Sequence, residues 1–62
     1  MLLLQIERFL RLTGMPWTKF GRLAAQDPRF VGDLRGGRSP RAPTASRIRL
    51  FMTTYLESLH AR

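Results

Sequence analysis

The stretch from Pro16 to Pro40, PWTKFGRLAAQDPRFVGDLRGGRSP, cannot be one continuous helix. Proline lacks the N–H that a helix interior needs and restricts the residue before it, so Asp27-Pro28 interrupts the run. Gly36-Gly37 then closes it. What remains is two short helices around a tight turn. Pro16 suits the first helical turn of the earlier one, because the N–H it lacks has no partner there. Trp17, Phe20, Leu23 and Ala24 give that helix an inner face ending near Ala25. Aspartate caps orphan N–H groups and proline presets the backbone, so Asp27-Pro28 restarts the chain. Phe30, Val31 and Leu34 turn inward in the second helix. The pattern is a helix-turn-helix over about residues 16–37.

Such a motif brings two helices close through a very short connection. The close approach demands a small residue in the first helix where the second passes, and Gly21 stands there, directly after Phe20. Glycine inside a helix costs about 1 kcal/mol relative to alanine, so a close contact is expected to offset it. Ala25 keeps the turn small.

The flanks read as longer helices. Leu2, Ile6, Phe9, Leu10 and Thr13 recur at three- and four-residue spacing, and Gly14 supplies a stop. Arg38 to Pro43 reads as an extended linker, with Thr44 as cap of the last helix. Ala45, Ile48, Met52, Tyr55 and Leu59 form its inner stripe, widened by Phe51 and Leu56. No strand signal, repeat or low-complexity tract occurs. The expected architecture is all-α, four helices around one core, in a single domain over 1–62.

The chain has 62 residues and no cysteine. A domain of this size buries only about 60% of its unfolded surface. No disulfide or thiolate metal site can assist it, so stability rests on helix packing, which dimerisation can complete. Eleven basic residues stand against four acidic ones, a formal +7. That is the electrostatic footprint of a polyanion partner, although a soluble basic protein without one has the same balance. The opening MLLLQIERFL lacks a basic lead and is interrupted by Glu7 and Arg8, so it is not read as a signal peptide. No apolar run approaches the ~20 residues that span a bilayer.

The outer face of the third helix carries Pro28, Arg29, Gly32 and Asp33. Glycine and proline leave room for a helix to sit deep in a groove. Arg29 can donate two hydrogen bonds to guanine's major-groove acceptors. Asp33, one turn later, can orient the Arg29 guanidinium or accept from cytosine; it can also be a plain surface carboxylate or half of a helical ion pair. Arg38, Ser39 and Arg41 follow in the linker, where basic side chains and backbone N–H groups suit a phosphate strand. Lys19 and Arg22 can reach the opposite strand from the first motif helix. Trp17 can donate its indole N–H to a phosphate or pack beneath the first helix.

Laid along the chain, Pro16, Phe20-Gly21, Ala25-Gln26-Asp27, Val31, Leu34, Gly37-Arg38 and Pro40 fall without insertion on a family pattern. The chain resembles the lambda-repressor-like (XRE, Cro-type) DNA-binding domains over about twenty-five central residues. It is similar to short alphaproteobacterial members with FGR, DPRF and DLR-GR segments. The identities are substituted: Leu-Ala stands as Phe-Gly, Gly-Val as Ala-Gln, and Ser as Asp. Gln26 departs furthest, since an apolar residue usually seals the turn there. The resemblance implies sequence-specific binding of double-stranded DNA, as a homodimer on a pseudo-palindromic site, in transcriptional repression. It places base contacts at Pro28, Arg29, Gly32 and Asp33, and phosphate contacts at Trp17 and at Arg38 with its neighbours.

The expected protein is therefore a small transcription regulator in the bacterial cytoplasm, associated with the nucleoid. Few residues lie outside the DNA-binding domain, so no ligand-sensing module or small-molecule ligand is expected; no metal-ligand spacing occurs, and no cofactor is expected. Glu7, Asp27, Asp33 and Glu57 form no carboxylate pair, and no nucleophile has a nearby base, so no catalytic site is expected. His60 is assigned no role. A second function class is a protein-interaction module of the same fold, an antitoxin or adaptor, using exposed apolar residues such as Leu50. A membrane-active peptide needs one continuous amphipathic helix, which the glycines and prolines at 14–16, 36–37, 40 and 43 forbid.

Overall fold

A computed structural model describes residues 1–60; Ala61, Arg62 and the side chain of His60 lie outside the described residues. The chain is all-helical there, with α1 at Leu2–Thr13, α2 at Trp17–Ala25, α3 at Phe30–Arg35 and α4 at Ala42–His60. None of these helices is long and apolar enough to cross a membrane.

The apolar stripe of α1 buries Leu2, Ile6 and Phe9. The helix stops at Gly14, which takes a left-handed conformation at φ 71° and donates its N–H to the Leu10 carbonyl at 2.9 Å. Thr13 secures the same end: its hydroxyl donates to the Phe9 carbonyl at 2.9 Å and accepts from the Met15 N–H at 3.3 Å. Met15 then enters the core.

Pro16 stands just outside α2 and not in its first turn. Its backbone is extended, and its carbonyl accepts the first helical bond from Phe20 N–H at 3.0 Å. At the other end, Gln26 turns left-handed with φ 57°. The Gln26 side chain is exposed, so no apolar residue seals the turn. Backbone does the sealing: the Gly21 carbonyl accepts from the N–H of Gln26 and from that of Asp27 at 3.0 Å.

This geometry explains Gly21 and corrects what passes over it. A Cβ there would collide with the Asp27 carbonyl oxygen and lie 3.3 Å from the carbonyl carbons of Asp27 and Pro28. The close body is the turn backbone, one step before α3.

Asp27 organises the start of α3. Its carboxylate accepts the Arg29 N–H at 3.0 Å, and its carbonyl accepts the Phe30 N–H at 3.1 Å. Pro28 and Arg29 therefore stand in the turn leading into the helix, and α3 itself is short. Its exit is also tied by backbone, with Arg38 N–H donating to the Asp33 carbonyl at 3.0 Å.

The last helix starts earlier than the linker reading expects. Ala45 N–H donates to the Arg41 carbonyl at 2.9 Å, so Pro43 lies in the first turn and Thr44 inside the helix. Proline is well suited to that turn, which is why it does not delay the helix. Phe20, Ile6, Ile48 and Val31, one from each helix, are the largest fully buried side chains. Beside them the rings of Phe9, Phe20, Phe51 and Tyr55 join α1, α2 and α4, with centroids 5.4 Å apart for Phe9–Phe20 and 5.5 Å for Phe20–Phe51. Such tilted aromatic pairs add about 0.5–1.5 kcal/mol each beyond their burial.

Candidate nucleic-acid interface

The Asp27 cap fixes the Arg29 backbone while leaving its side chain in water. The Arg29 side chain is 86% exposed, and its guanidinium lies 3.9 Å from a carboxylate oxygen of Asp27. An exposed pair at that distance adds little stability and does not hold the arginine. Pro28 beside it is exposed as well.

Asp33 does not serve Arg29. Its carboxylate lies 3.8 Å from the guanidinium of Arg38, whose side chain is 81% exposed. The reason is local: α3 ends in a glycine pair that turns the chain back, and the Arg38 N–H is bonded to the Asp33 carbonyl. Each arginine thus has a different aspartate, Asp27 before the helix and Asp33 within it.

Gly32 is not on a bare outer face. A Cβ built there would lie 3.2 Å from Cζ3 and 3.5 Å from Cη2 of Trp17. The indole covers the room that the missing side chain leaves. Trp17 accordingly packs on α3, while remaining 38% exposed. None of the side-chain hydrogen bonds among the described residues uses its indole N–H.

Arg35 is the residue that sequence reasoning missed. Its Nε and Nη2 donate to the two carboxylate oxygens of Glu7, both at 2.8 Å. The same guanidinium lies 5.6 Å from the centroid of the Trp17 ring, a cation–π arrangement. One arginine therefore ties α3 to α1 and to the start of α2. The hydrogen bonds from Arg35 hold the Glu7 carboxyl below its ordinary pKa, and Arg11, one turn further along α1, adds to the effect. The guanidinium of Arg35 is pushed up by the same bonds. Nothing local in the sequence joins Glu7 to Arg35; only the packing of α1 on α3 does.

The other candidate phosphate contacts, Lys19, Arg22, Ser39 and Arg41, are all exposed. Lys19 and Ser39 are positioned differently. Lys19 follows Trp17 by two residues, about 200° round the helix, so it lies on the side of α2 away from the Trp17–Gly32 contact. Arg38 and Ser39 line a recess with Phe30 and Thr44, between α3 and the start of α4. The grouped candidates are thus Trp17, Pro28, Arg29, Asp33, Arg38 and Ser39, gathered around α3. Among the described residues no three histidine, aspartate or glutamate side chains gather as metal ligands.

No protein-family model, no curated protein and no solved structure matches this chain.

Proposed function

We propose that this chain is a sequence-specific regulator of transcription that binds double-stranded DNA as a homodimer. In this reading α3 enters the major groove, and the protein represses by occupying a promoter and excluding polymerase on the bacterial nucleoid. The observation that supports it most is Arg29. Its backbone is fixed by the Asp27 cap at the entry of α3, and its guanidinium is exposed and loosely paired. An exposed arginine on a fixed backbone at a helix start is suited to the paired acceptors of guanine. Pro28 and Asp33 flank it. Arg38, Ser39 and Arg41 then meet phosphate, as does the Trp17 indole N–H. Gly32 contributes by seating Trp17. The +7 charge supplies long-range attraction.

Selection of bound duplexes from a random pool tests this reading, with a two-fold symmetric consensus as the expected result. Its half-sites should lie about one helical turn apart. Arg29→Ala should cost about 1–3 kcal/mol on that site and relax selectivity at one base pair per half-site. Arg38→Ala should weaken preferred and random DNA alike and lower the salt slope by about one. Recovery of no consensus, or equal loss on all sequences for Arg29→Ala, rejects base reading by α3.

A further inference from the structure

A second surface lies on the flank of α1 that turns away from α3. Glu7 marks the α3 side of this helix through its contact with Arg35. Phe9 and Leu12, with Met52 and Leu56 of α4, line a shallow groove between α1 and α4, and Arg8 and Arg49 stand at its edges. Arg11 joins Arg8 around Leu12. Leu12 is 78% exposed. A lone exposed leucine is ordinary. This one is continuous with a part-buried leucine and a core phenylalanine in a concave strip.

Charge decides what fits there. Arg8, Arg11 and Arg49 take part in none of the close ion pairs among the described residues, although Arg11 still acts on Glu7 across one helical turn. No carboxylate lines the groove. Glu7, the nearest acid along α1, has both oxygens engaged by Arg35. An apolar floor whose charged neighbours are all arginines, beside the neutral Gln5 and Thr53, disfavours a second copy of this chain, because a two-fold contact would bring like charges together. A nucleic-acid backbone satisfies the rim but leaves Leu12 and Leu56 in water. A helix with an apolar ridge and carboxylates beside it satisfies both.

We propose that the α1–α4 groove docks an acidic amphipathic helix of a partner protein. Apolar side chains of that helix seat on Leu12 and Leu56, and its carboxylates face Arg8, Arg11 and Arg49. The proposal is independent of the DNA reading, since it uses none of the residues grouped around α3.

The probe is a synthetic helical peptide with leucines at three- and four-residue spacing and glutamates on both flanks. It is titrated into the full isotope-labelled chain and followed by NMR. The control peptide carries lysine at every glutamate. Saturable shifts at Arg8, Leu12, Arg49 and Leu56 with the acidic peptide alone are the expected result. Leu12→Gln should weaken binding about tenfold or more, since it removes one apolar anchor. Arg8→Glu with Arg49→Glu should abolish it. Leu12 is exposed, so its variant should melt like the parent, which keeps loss of binding distinct from loss of fold. Four results overturn the proposal: no shifts, an equal response to the lysine peptide, shifts confined to α2 and α3, or self-association that Leu12→Gln abolishes. Leu12-dependent binding to phosphatidylglycerol vesicles without binding to the peptide overturns it as well, in favour of a membrane surface.

Discussion

Gly21 in α2 and Gly32 in α3 both make room where the two helices meet, yet they face different kinds of neighbour. Gly21 faces backbone: the Asp27 carbonyl and the Pro28 carbonyl carbon cross it, and its own carbonyl holds the turn by two N–H groups. Gly32 faces the edge of an indole that is still 38% exposed. Backbone in a hydrogen-bonded turn has nowhere to go, whereas a half-exposed ring can slide. Two glycines in adjacent helices therefore carry unequal constraint, and burial alone does not reveal how unequal.

The largest expected effect is at Gly21. Alanine there gains about 1 kcal/mol of helix propensity. The added methyl must displace the Asp27–Pro28 backbone, an overpacking cost of typically 1–3 kcal/mol that is occasionally larger. A domain of this size has only about 0.05–0.15 kcal/mol of stability per residue, so the variant should lose much of its cooperative melt. Thermal and urea unfolding followed by circular dichroism measure it. A Gly21→Ala protein as stable as the parent would show that the turn yields, and the contrast with Gly32 would disappear.

Why Gly21 was legible and Gly32 was not follows from the same contrast. A glycine in a helix interior five residues before Gln26-Asp27-Pro28, with an apolar residue on one side, has few explanations besides close contact. Gly32 looked like an open surface because its partner, Trp17, is remote in sequence and its side chain had two plausible destinations. The helices themselves were readable from spacing and punctuation. The start of α4 was misplaced because proline tolerates a first turn as well as a linker, and only the Arg41 carbonyl accepting from Ala45 distinguishes them. Arg29 and its capping Asp27 were readable because that contact is local. The Glu7–Arg35 pair spans two helices and leaves no local trace. Helical spacing offers Arg29 as one of several roles for Asp33 and does not reveal Arg38, because spacing ignores the backbone that folds Arg38 back onto it.

Phe51 offers an intermediate case. Its ring is part-buried among Phe9, Phe20 and Tyr55, at 6.2, 5.5 and 6.0 Å between centroids. Leucine keeps the site apolar but removes the ring contacts, of which the one with Phe20 is edge-to-face, at a cost of about 0.5–1.5 kcal/mol for such a pair. The neighbouring rings are side chains and can partly close the gap. Phe51→Leu should therefore melt between the parent and Gly21→Ala while keeping a single cooperative transition. A loss as severe as that of Gly21→Ala would mean that the aromatic cluster is no more adaptable than the turn.

At Gly32 the same methyl should have the opposite sign. A Cβ meets Trp17 Cζ3 at 3.2 Å, so the ring must retreat by a few tenths of an ångström. Helix propensity favours alanine by about 1 kcal/mol. Gly32→Ala should melt at or slightly above the parent. Trp17 is the sole tryptophan, so its fluorescence reports the shift directly, and emission should move to the red as the ring enters water. A clear destabilisation at Gly32 would show that Trp17 is as fixed as the turn backbone.

The smallest expected effect tests what holds Trp17 in place. Arg35 lies over its ring and is itself held by Glu7. Glu7→Gln keeps the side-chain shape and removes the charge. The folded-state pKa of Glu7 is lowered from its ordinary 4.5 by the hydrogen bonds from Arg35. A carboxylate with a depressed folded pKa contributes stability above its unfolded pKa and loses it as pH falls through the folded value. The difference in melting temperature between parent and Glu7→Gln should thus be present at neutral pH. It should shrink as acid is added through the carboxylate range and vanish below it. Asp27, Asp33 and Glu57 remain in both proteins, so the difference isolates Glu7. Both groups are part-exposed, so the effect should be modest and should fall with added salt. Trp17 emission should change with the substitution at neutral pH and not in acid. If parent and variant melt together at every pH while the emission stays constant, Arg35 needs no anchor on α1. Trp17 would then be held by its seat on Gly32 alone.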